Sequence, residues 1–447
     1  MTWRQEVFGP MRARTLESAQ MHHLVTHYDL APDSRLGGAI IRKVNQTLAD
    51  DERRRGVRRV QPGELVLWTS RGSLLLPLRT NEDLDRVLAG ERWDRIRRDI
   101  LERCETLYRQ SHPRARAGDI ARFLLSLWQG PVPRRVRNEP SLLYGPRRNR
   151  PWGHAPGGTR PLDGLDAARL ASLKAPPQPQ PRYRQETLEE LLHYLGTEAG
   201  IPPAVQEPLL FELIAVRARF CPHPSLLATG QMPLAAMHVQ AGRTLWQPSR
   251  LQPLAPVIVS PLLPGEIRHL RRQPPQTYED YLGLHGQRLA RVLTEAYMQN
   301  GLLSFAELQW LSLLSTATVS RAIDFYQRRH QVILPCPGTV LDMGRMLTHK
   351  DLIVRLHLQG YSVLEIARKT LHNPRSVDAY LKVFDSVLIL HLYGLPVELM
   401  AGVLGRGQYL VGEYLEIIQH RLKDAAVMRD YLRARGLKVP TQVSLNG

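Results

Sequence analysis

A mainly α fold with small β-hairpins is expected from this sequence, arranged as a duplicated α+β module followed by tandem helix-turn-helix units. Three observations lead there. In the last third of the chain, capping boxes and helix-ending glycines recur at short intervals, each followed by apolar residues at helical spacing. Two earlier stretches repeat one order of parts: helix, helix, turn and strand, strand, acidic turn, long helix. Finally, 447 residues, 43% of them hydrophobic, suffice for roughly two to four domains with real cores.

In the first copy, Thr15-Leu16-Glu17 opens a helix and a second helix follows over about 36–48. Val60–Trp68 reads as the turn and first strand of a hairpin, and Leu74–Leu78 as the next strand. Asn81-Glu82-Asp83 reads as an acidic turn and Trp93–Arg109 as an amphipathic helix. The second copy repeats the order with Thr187-Leu188-Glu189, a helix over about 205–220, Val239–Trp246, Val257–Leu262, Pro264-Gly265-Glu266 and a helix over His285–Gln299. Arg95-Ile96-Arg97-Arg98 pairs with Arg288-Leu289-Ala290-Arg291 in this alignment. The first copy runs on into Gly118–Leu125, which has the look of a first helix of a helix-turn-helix, but no second helix follows. Residues 129–183 are instead rich in Arg, Pro and Gly and include Ala175–Pro181, a stretch that favours polyproline II, so they read as a linker. The expected domains are 1–128, the linker 129–183, 184–303, a helix-turn-helix with its own linker over 304–346, tandem units over 347–425, and a tail over 426–447.

The clearest motif is Gln359–Phe384. Gly360 ends a helix, Ser362 and Glu365 form a capping box, and Ile366 and Ala367 face inward. His372-Asn373-Pro374 is the turn, with Asn373 as N-cap and Pro374 preset for the first helical position. Val377, Leu381 and Phe384 form the buried stripe of the next helix. That leaves Arg375, Ser376, Asp378, Ala379 and Lys382 outward, where such a helix touches base edges or phosphates. A second unit follows: Gly394-Leu395-Pro396, a helix Val397–Leu404, a turn at Gly405-Arg406-Gly407, and a helix through Ile418 with Val411, Tyr414, Leu415 and Ile418 inward. Arg406 and Gln408 are its candidate contacts. Upstream, Ser304 and Glu307 form another capping box, and Thr318, Ser320 and Arg321 are the candidate contacts of the helix beyond it. A plain helical hairpin with capped turns satisfies the same pattern.

The Gln359–Phe384 segment resembles the DNA-reading segments of LuxR-type response regulators and of sigma factors. The linker residues Leu334–Gly338, Asp342-Met343-Gly344-Arg345 and Thr348-His349-Lys350 add a second resemblance. Together with residues 285–420, they resemble a bacterial family of uncharacterised proteins, a domain of unknown function ending in tandem helix-turn-helix units. In that family the linker tends to read Pro-Thr-Arg-Gly, Asp-Ile-Gly and Ser-His-Lys; here Cys336 and Pro337, Met343 and Thr348 depart from it. The resemblance implies DNA binding, tied to mobile elements, with no established activity.

Charge points the same way. The chain has 60 Lys+Arg against 42 Asp+Glu and a net charge of +18, which suits a polyanion partner. The excess is uneven: +12 over residues 1–160, +1 over 161–300 and +5 over 301–447. Phosphate contacts are therefore expected from the N-terminal third, at Arg53, Arg54 and Arg55 and at Arg134, Arg135, Arg147 and Arg148. Because 53 of the 60 basic residues are Arg, a general preference for arginine is the competing explanation.

The expected function is sequence-specific binding of double-stranded DNA, as a transcriptional regulator or a mobile-element accessory factor. The near-neutral stretch 184–300 is a candidate surface for a homodimer or a protein partner, which leaves a helical interaction scaffold as the alternative. A DNA-processing enzyme such as a transposase or recombinase component is the weaker one. No phosphate-binding loop, dinucleotide fingerprint, Gly-x-Ser-x-Gly or His-Glu-x-x-His occurs, so no catalytic residue and no cofactor is assigned. Cys104, Cys221 and Cys336 are too far apart for a metal-ligand pattern, and no metal is expected. No run of 18 apolar residues is present, and the N-terminus lacks a signal-peptide core, so a cytoplasmic, nucleoid-associated location is expected.

Overall fold

The structure, a computed structural model, describes residues 2–31, 34–69, 72–113, 183–241, 252–263, 266, 275–330, 332–341, 350–370, 372–422 and 424–437. Seventeen helices and five short strands occur among them, and they fall in two compact units, the first up to Cys336 and the second from Pro337. Gly118–Leu125 and Arg134, Arg135, Arg147 and Arg148 lie outside the described residues.

In the first unit, α1 (Trp3–Phe8) leads into α2 (Leu16–Tyr28) and α3 (Arg35–Arg54). The side chains of Thr15 and Ser34 cap the last two by accepting backbone N–H groups. The inward stripe of α3 runs Ile40, Ile41, Val44, Thr47, Leu48 and then, at the same spacing, Asp51 and Glu52. Its apolar part packs with Leu24 of α2 against α6 (Gln185–Thr197) and α7 (Pro203–Phe220), through Leu191, Leu195, Leu209, Leu210, Leu213 and Ile214. Its acidic end meets donors far away in the chain. Asp51 accepts from Arg184 (2.6 Å) and Thr187 (3.1 Å), while Glu52 accepts from Arg217 (2.6 Å), the Tyr183 hydroxyl (2.7 Å) and Arg59. Burial opposes the charge on Glu52, but Arg217, Arg59 and Tyr183 outweigh it and hold the carboxyl below its ordinary value.

β1 (Glu64–Thr69) and β2 (Gly72–Pro77) pair antiparallel, with Glu64 opposite Pro77 and Thr69 opposite Gly72. A second sheet has the order β4-β3-β5, from β3 (Met232–His238), β4 (Leu254–Val259) and β5 (Gly301–Leu302). The hairpin continues this sheet: Val66 N–H donates to the Gln231 carbonyl (2.9 Å) and Gly63 N–H to that of Pro233 (2.9 Å). Gly230 has φ +86°, and a Cβ there would collide with the Leu262 carbonyl oxygen, so only glycine fits this crossing point.

Several expected elements are displaced. The first strand of the second sheet is Met232–His238; of the expected Val239–Trp246, residues 242–246 lie outside the described residues. The Ala, Met and Pro residues of Met232–His238 carry little β preference, and it becomes a strand because β4 and β5 both pair with it. Asn81-Glu82-Asp83 is not a turn but the first turn of α4 (Asn81–Leu88), capped by Thr80. The helix expected over His285–Gln299 is α8 (Tyr278–Met298), begun seven residues earlier by a Thr277–Asp280 capping box.

α5 (Trp93–Ser111) and α8 occupy like positions after their strands. From α5, Arg103 donates to the Pro77 carbonyl (3.2 Å) and to Asp83 (2.7 Å). From α8, Arg291 donates to the Ser260 carbonyl (2.9 Å) and to Glu266. α9 (Phe305–Ser312) and α10 (Thr316–His330) close the first unit. α10 lies so close to α8 that a Cβ on Gly286 would stand 2.8 Å from the Ala322 carbonyl oxygen.

The second unit holds α11 (Pro337–Val340), α12 (Lys350–Leu358), α13 (Val363–Thr370), α14 (Pro374–Leu392), α15 (Val397–Leu404), α16 (Gln408–Arg421) and α17 (Ala425–Ala434). One core joins them, with Phe384 of α14 and Tyr414 of α16 among its largest buried side chains. Lys350 pairs with Glu413 (2.6 Å) and Asp351 with Arg421 (2.9 Å), which ties α12 to α16. The stretch expected as a tail begins with α17. Met428 and Leu432 bury its inner face, and Tyr431 and Arg435 each donate to Asp385 of α14 at 2.7 Å. No helix among the described residues is long and apolar enough to cross a membrane.

Candidate nucleic-acid interface

α13, the turn and α14 are built by the local signals read from the sequence. Gly360 has φ +88° after α12. Ser362 and Glu365 bond reciprocally: the Ser362 backbone N–H donates to the Glu365 carboxylate (2.8 Å) and the Glu365 backbone N–H to the Ser362 hydroxyl (3.3 Å). Those bonds from Ser362 hold the Glu365 carboxyl below its ordinary value. In the turn, His372 is buried with its Nδ1 2.7 Å from the Thr370 carbonyl oxygen. The Asn373 side chain accepts from the Arg375 N–H (2.9 Å), and Pro374 starts α14.

This construction sets which side chains reach water. Val377, Leu381 and Phe384 are buried on one side of α14. Arg375, Ala379 and Lys382 are exposed on the other, and Ser376 and Asp378 are half-buried beside them. Lys382 and Asp378 form an i,i+4 pair at 2.8 Å, so Lys382 is partly neutralised where it stands and Arg375 is the more available cation. Arg368 and Lys369 of α13, absent from the sequence prediction, are exposed next to the turn, and Lys369 stands 4.7 Å over the Tyr361 ring. Their signal was available, because both lie opposite the buried Ile366, Ala367 and Thr370.

In the α15–α16 pair, Gly405 has φ +59° and Val411, Tyr414, Leu415 and Ile418 are buried as expected. Arg406 and Gln408 are exposed, and so is Tyr409, at 79%. Leu399 and Val403 are exposed on α15, one helical turn apart. The α9–α10 pair is more closed. Ser304 and Glu307 form their capping box. Thr318, Ser320 and Arg321 are all half-buried; the Ser315 hydroxyl takes the Thr318 N–H (3.2 Å), and Arg321 reaches the Tyr278 hydroxyl (3.4 Å).

The candidate phosphate contacts divide. Arg53 is exposed and bonded to Asp50 (2.9 Å); Arg55 pairs with the buried Asp51 (3.1 Å) and stands 5.8 Å from the Tyr183 ring. Arg54 is exposed and has no ion pair or hydrogen bond among the described residues. Lys350, at the start of α12, is a buried partner of Glu413. Among the described residues, no group of three or more His, Cys, Asp or Glu could hold a metal ion.

Residues 202–417 match the family described as a protein of unknown function (DUF1670). The match runs from the start of α7 through most of α16 and leaves out α1–α6 and α17. No curated protein and no solved structure matches the chain. DUF1670 therefore covers α13–α14 and α15–α16 together with the second run of helix, strand and helix, without assigning an activity to any of them.

Proposed function

We propose that this chain is a sequence-specific double-stranded DNA-binding protein, a transcriptional regulator or an accessory factor of a mobile element, acting at the nucleoid. The reading rests on the α13–α14 pair as a helix-turn-helix. In support, a capped short helix is followed by a tight turn and a long helix whose first three turns carry Arg375, Ala379 and Lys382 in water above a buried stripe. A recognition helix needs that division between a packed face and an exposed first half. The +18 charge supports the same partner. We further propose that the module before α9 is a second copy of the N-terminal one, supported by the shared element order and by the matched roles of Arg103 and Arg291.

The test is binding to genomic fragments across a salt series, followed by the Arg375→Ala/Lys382→Ala variant. Each base-reading contact removed should weaken binding to the preferred site by about 1–3 kcal/mol. Wild-type affinity that barely changes between low and moderate salt would sink the proposal, because phosphate neutralisation must release counterions.

A second reading, a helical scaffold for a protein partner or a second copy, is favoured by one observation: Leu399 and Val403 of α15 and Tyr409 at the start of α16 are all exposed. Co-purification of a partner from nuclease-treated extract, with no shift of any duplex, would favour it.

A further inference from the structure

The start of α5 frames a groove of about 580 Å³, lined by Arg92, Asp94, Arg95, Arg97, Arg98 and Leu101. Four guanidinium groups share one carboxylate there. Asp94 stands 3.7 Å from Arg97 and 4.0 Å from Arg92, both loose contacts for ion pairs. The side chains of Arg95 and Arg98 are exposed and make no hydrogen bond or close ion pair among the described residues; Arg95 also lies in the field of Glu91, which is itself bonded to Arg86.

The rest of this region does not look like that. Arg86 meets Glu91 at 2.7 Å and Asp99 at 2.5 Å. Arg103 meets Asp83 at 2.7 Å, and Arg109 meets Glu105 at 2.6 Å. An arginine-rich composition alone scatters cations among acids, as it does at those positions. At the groove Asp94 is the one acid in the lining, against four arginines.

The helix holds the cations in place. Ile96, Ile100 and Cys104 are buried along its inner face, and Trp93 packs edge-on against Trp310 with centroids 4.8 Å apart. Arg92, Arg95 and Arg98 recur every third residue, about 9 Å from first to last along the axis. At a rise of about 3.4 Å per nucleotide, that length covers two to three successive phosphates. The N-cap, Arg92, supplies no side-chain acceptor, so the first-turn N–H groups add partial positive charge at the same end.

We propose that this groove binds phosphate groups, those of a nucleic-acid backbone. It rests on the reading of the chain as a duplex-binding protein and adds a sequence-independent contact that none of the expected residues covers. The experiment measures duplex affinity against salt for the full chain, for Arg95→Ala/Arg98→Ala, and for Arg109→Ala as a control whose guanidinium is already paired. The groove variant should lose about 2 from the slope of log affinity against log salt, about 0.9 per phosphate contact, and keep its preference among sequences. A slope equal to the wild type overturns the groove and leaves the α14 reading standing. If the wild type binds no duplex at any salt, the α14 reading falls, and calorimetry with tripolyphosphate decides the groove. Heat seen for the wild type and lost in the variant assigns it to free phosphate compounds; no heat for the wild type overturns it.

Discussion

Replacing Glu52 by Gln should be among the most destabilising isosteric changes in the first unit. The side chain is 4% exposed and accepts from Arg59, Arg217 and Tyr183. The amide keeps the shape but leaves two buried guanidinium groups, each 8% exposed or less, facing a neutral partner. Breaking a buried ion pair from one side costs about 3–5 kcal/mol. Arg217→Met should cost less, about 3 kcal/mol, because Arg59 and Tyr183 still serve Glu52. Tyr183→Phe removes one hydrogen bond to a charge, about 1.5 kcal/mol. Trp3, Trp68, Trp93 and Trp310 belong to the first unit, and among the described residues the second unit holds no tryptophan, so tryptophan fluorescence in a urea titration reports chiefly on the first unit. With a slope of about 3 kcal/mol per molar, the Glu52→Gln midpoint should fall by about 1–1.5 M. Glu52→Leu/Arg217→Leu should recover part of the loss, since an apolar pair leaves no charge stranded at that contact. Asp51 and Glu52 both ionise below their ordinary values, so their contribution is complete above the ordinary carboxyl pKa of about 4. It disappears as the pH falls through the lower folded values, and Glu52→Gln should flatten that acid limb. An order of cost in which Tyr183→Phe exceeds Glu52→Gln, or an acid limb unchanged by Glu52→Gln, would refute the account.

Other expectations follow from single sites. Gly230→Ala should destabilise the first unit by more than about 1 kcal/mol, read in the same titration, because the residue is both left-handed and crowded by Leu262. Ser362→Ala removes the acceptor for the Glu365 N–H and should lower the stability of the second unit by about 1 kcal/mol, followed by circular dichroism. Burial pushes the Cys104 and Cys221 thiols up to about 12, so neither should alkylate at pH 8 until the first unit unfolds; mass spectrometry of labelled peptides checks this.

The α13–α14 surface was legible because every signal in it is short-range. Ser362 and Glu365 are three residues apart, Asn373 and Pro374 adjoin, and Val377, Leu381 and Phe384 follow one helical period. Backbone hydrogen bonding and the 3.6-residue repeat settle such features whatever packs against them. The same logic placed α2, α3, α7 and the β1–β2 hairpin to within a few residues.

What only the tertiary structure decided depends on residues brought together from far apart. Nothing near Asp51 and Glu52 in the chain says that they end a buried stripe; Arg184 and Arg217, 133 and 165 residues on, make that burial tolerable. Met232–His238 is a strand because two others, β4 and β5, pair with it, against its own composition. Nothing in the sequence near Lys350 shows that it is buried; Glu413, 63 residues on, is its partner. The arginines of α4 and α5 look alike in sequence, and only the folded arrangement of Asp83, Glu91, Asp99 and Glu105 shows which are neutralised and which line an open groove. Periodicity and capping are properties of a segment, whereas charge pairing and strand pairing belong to the contacts between segments. The sequence by itself therefore determined where the capped helices α13 and α14 form, and the tertiary structure decided which arginines and lysines are paired with acids and which are left exposed.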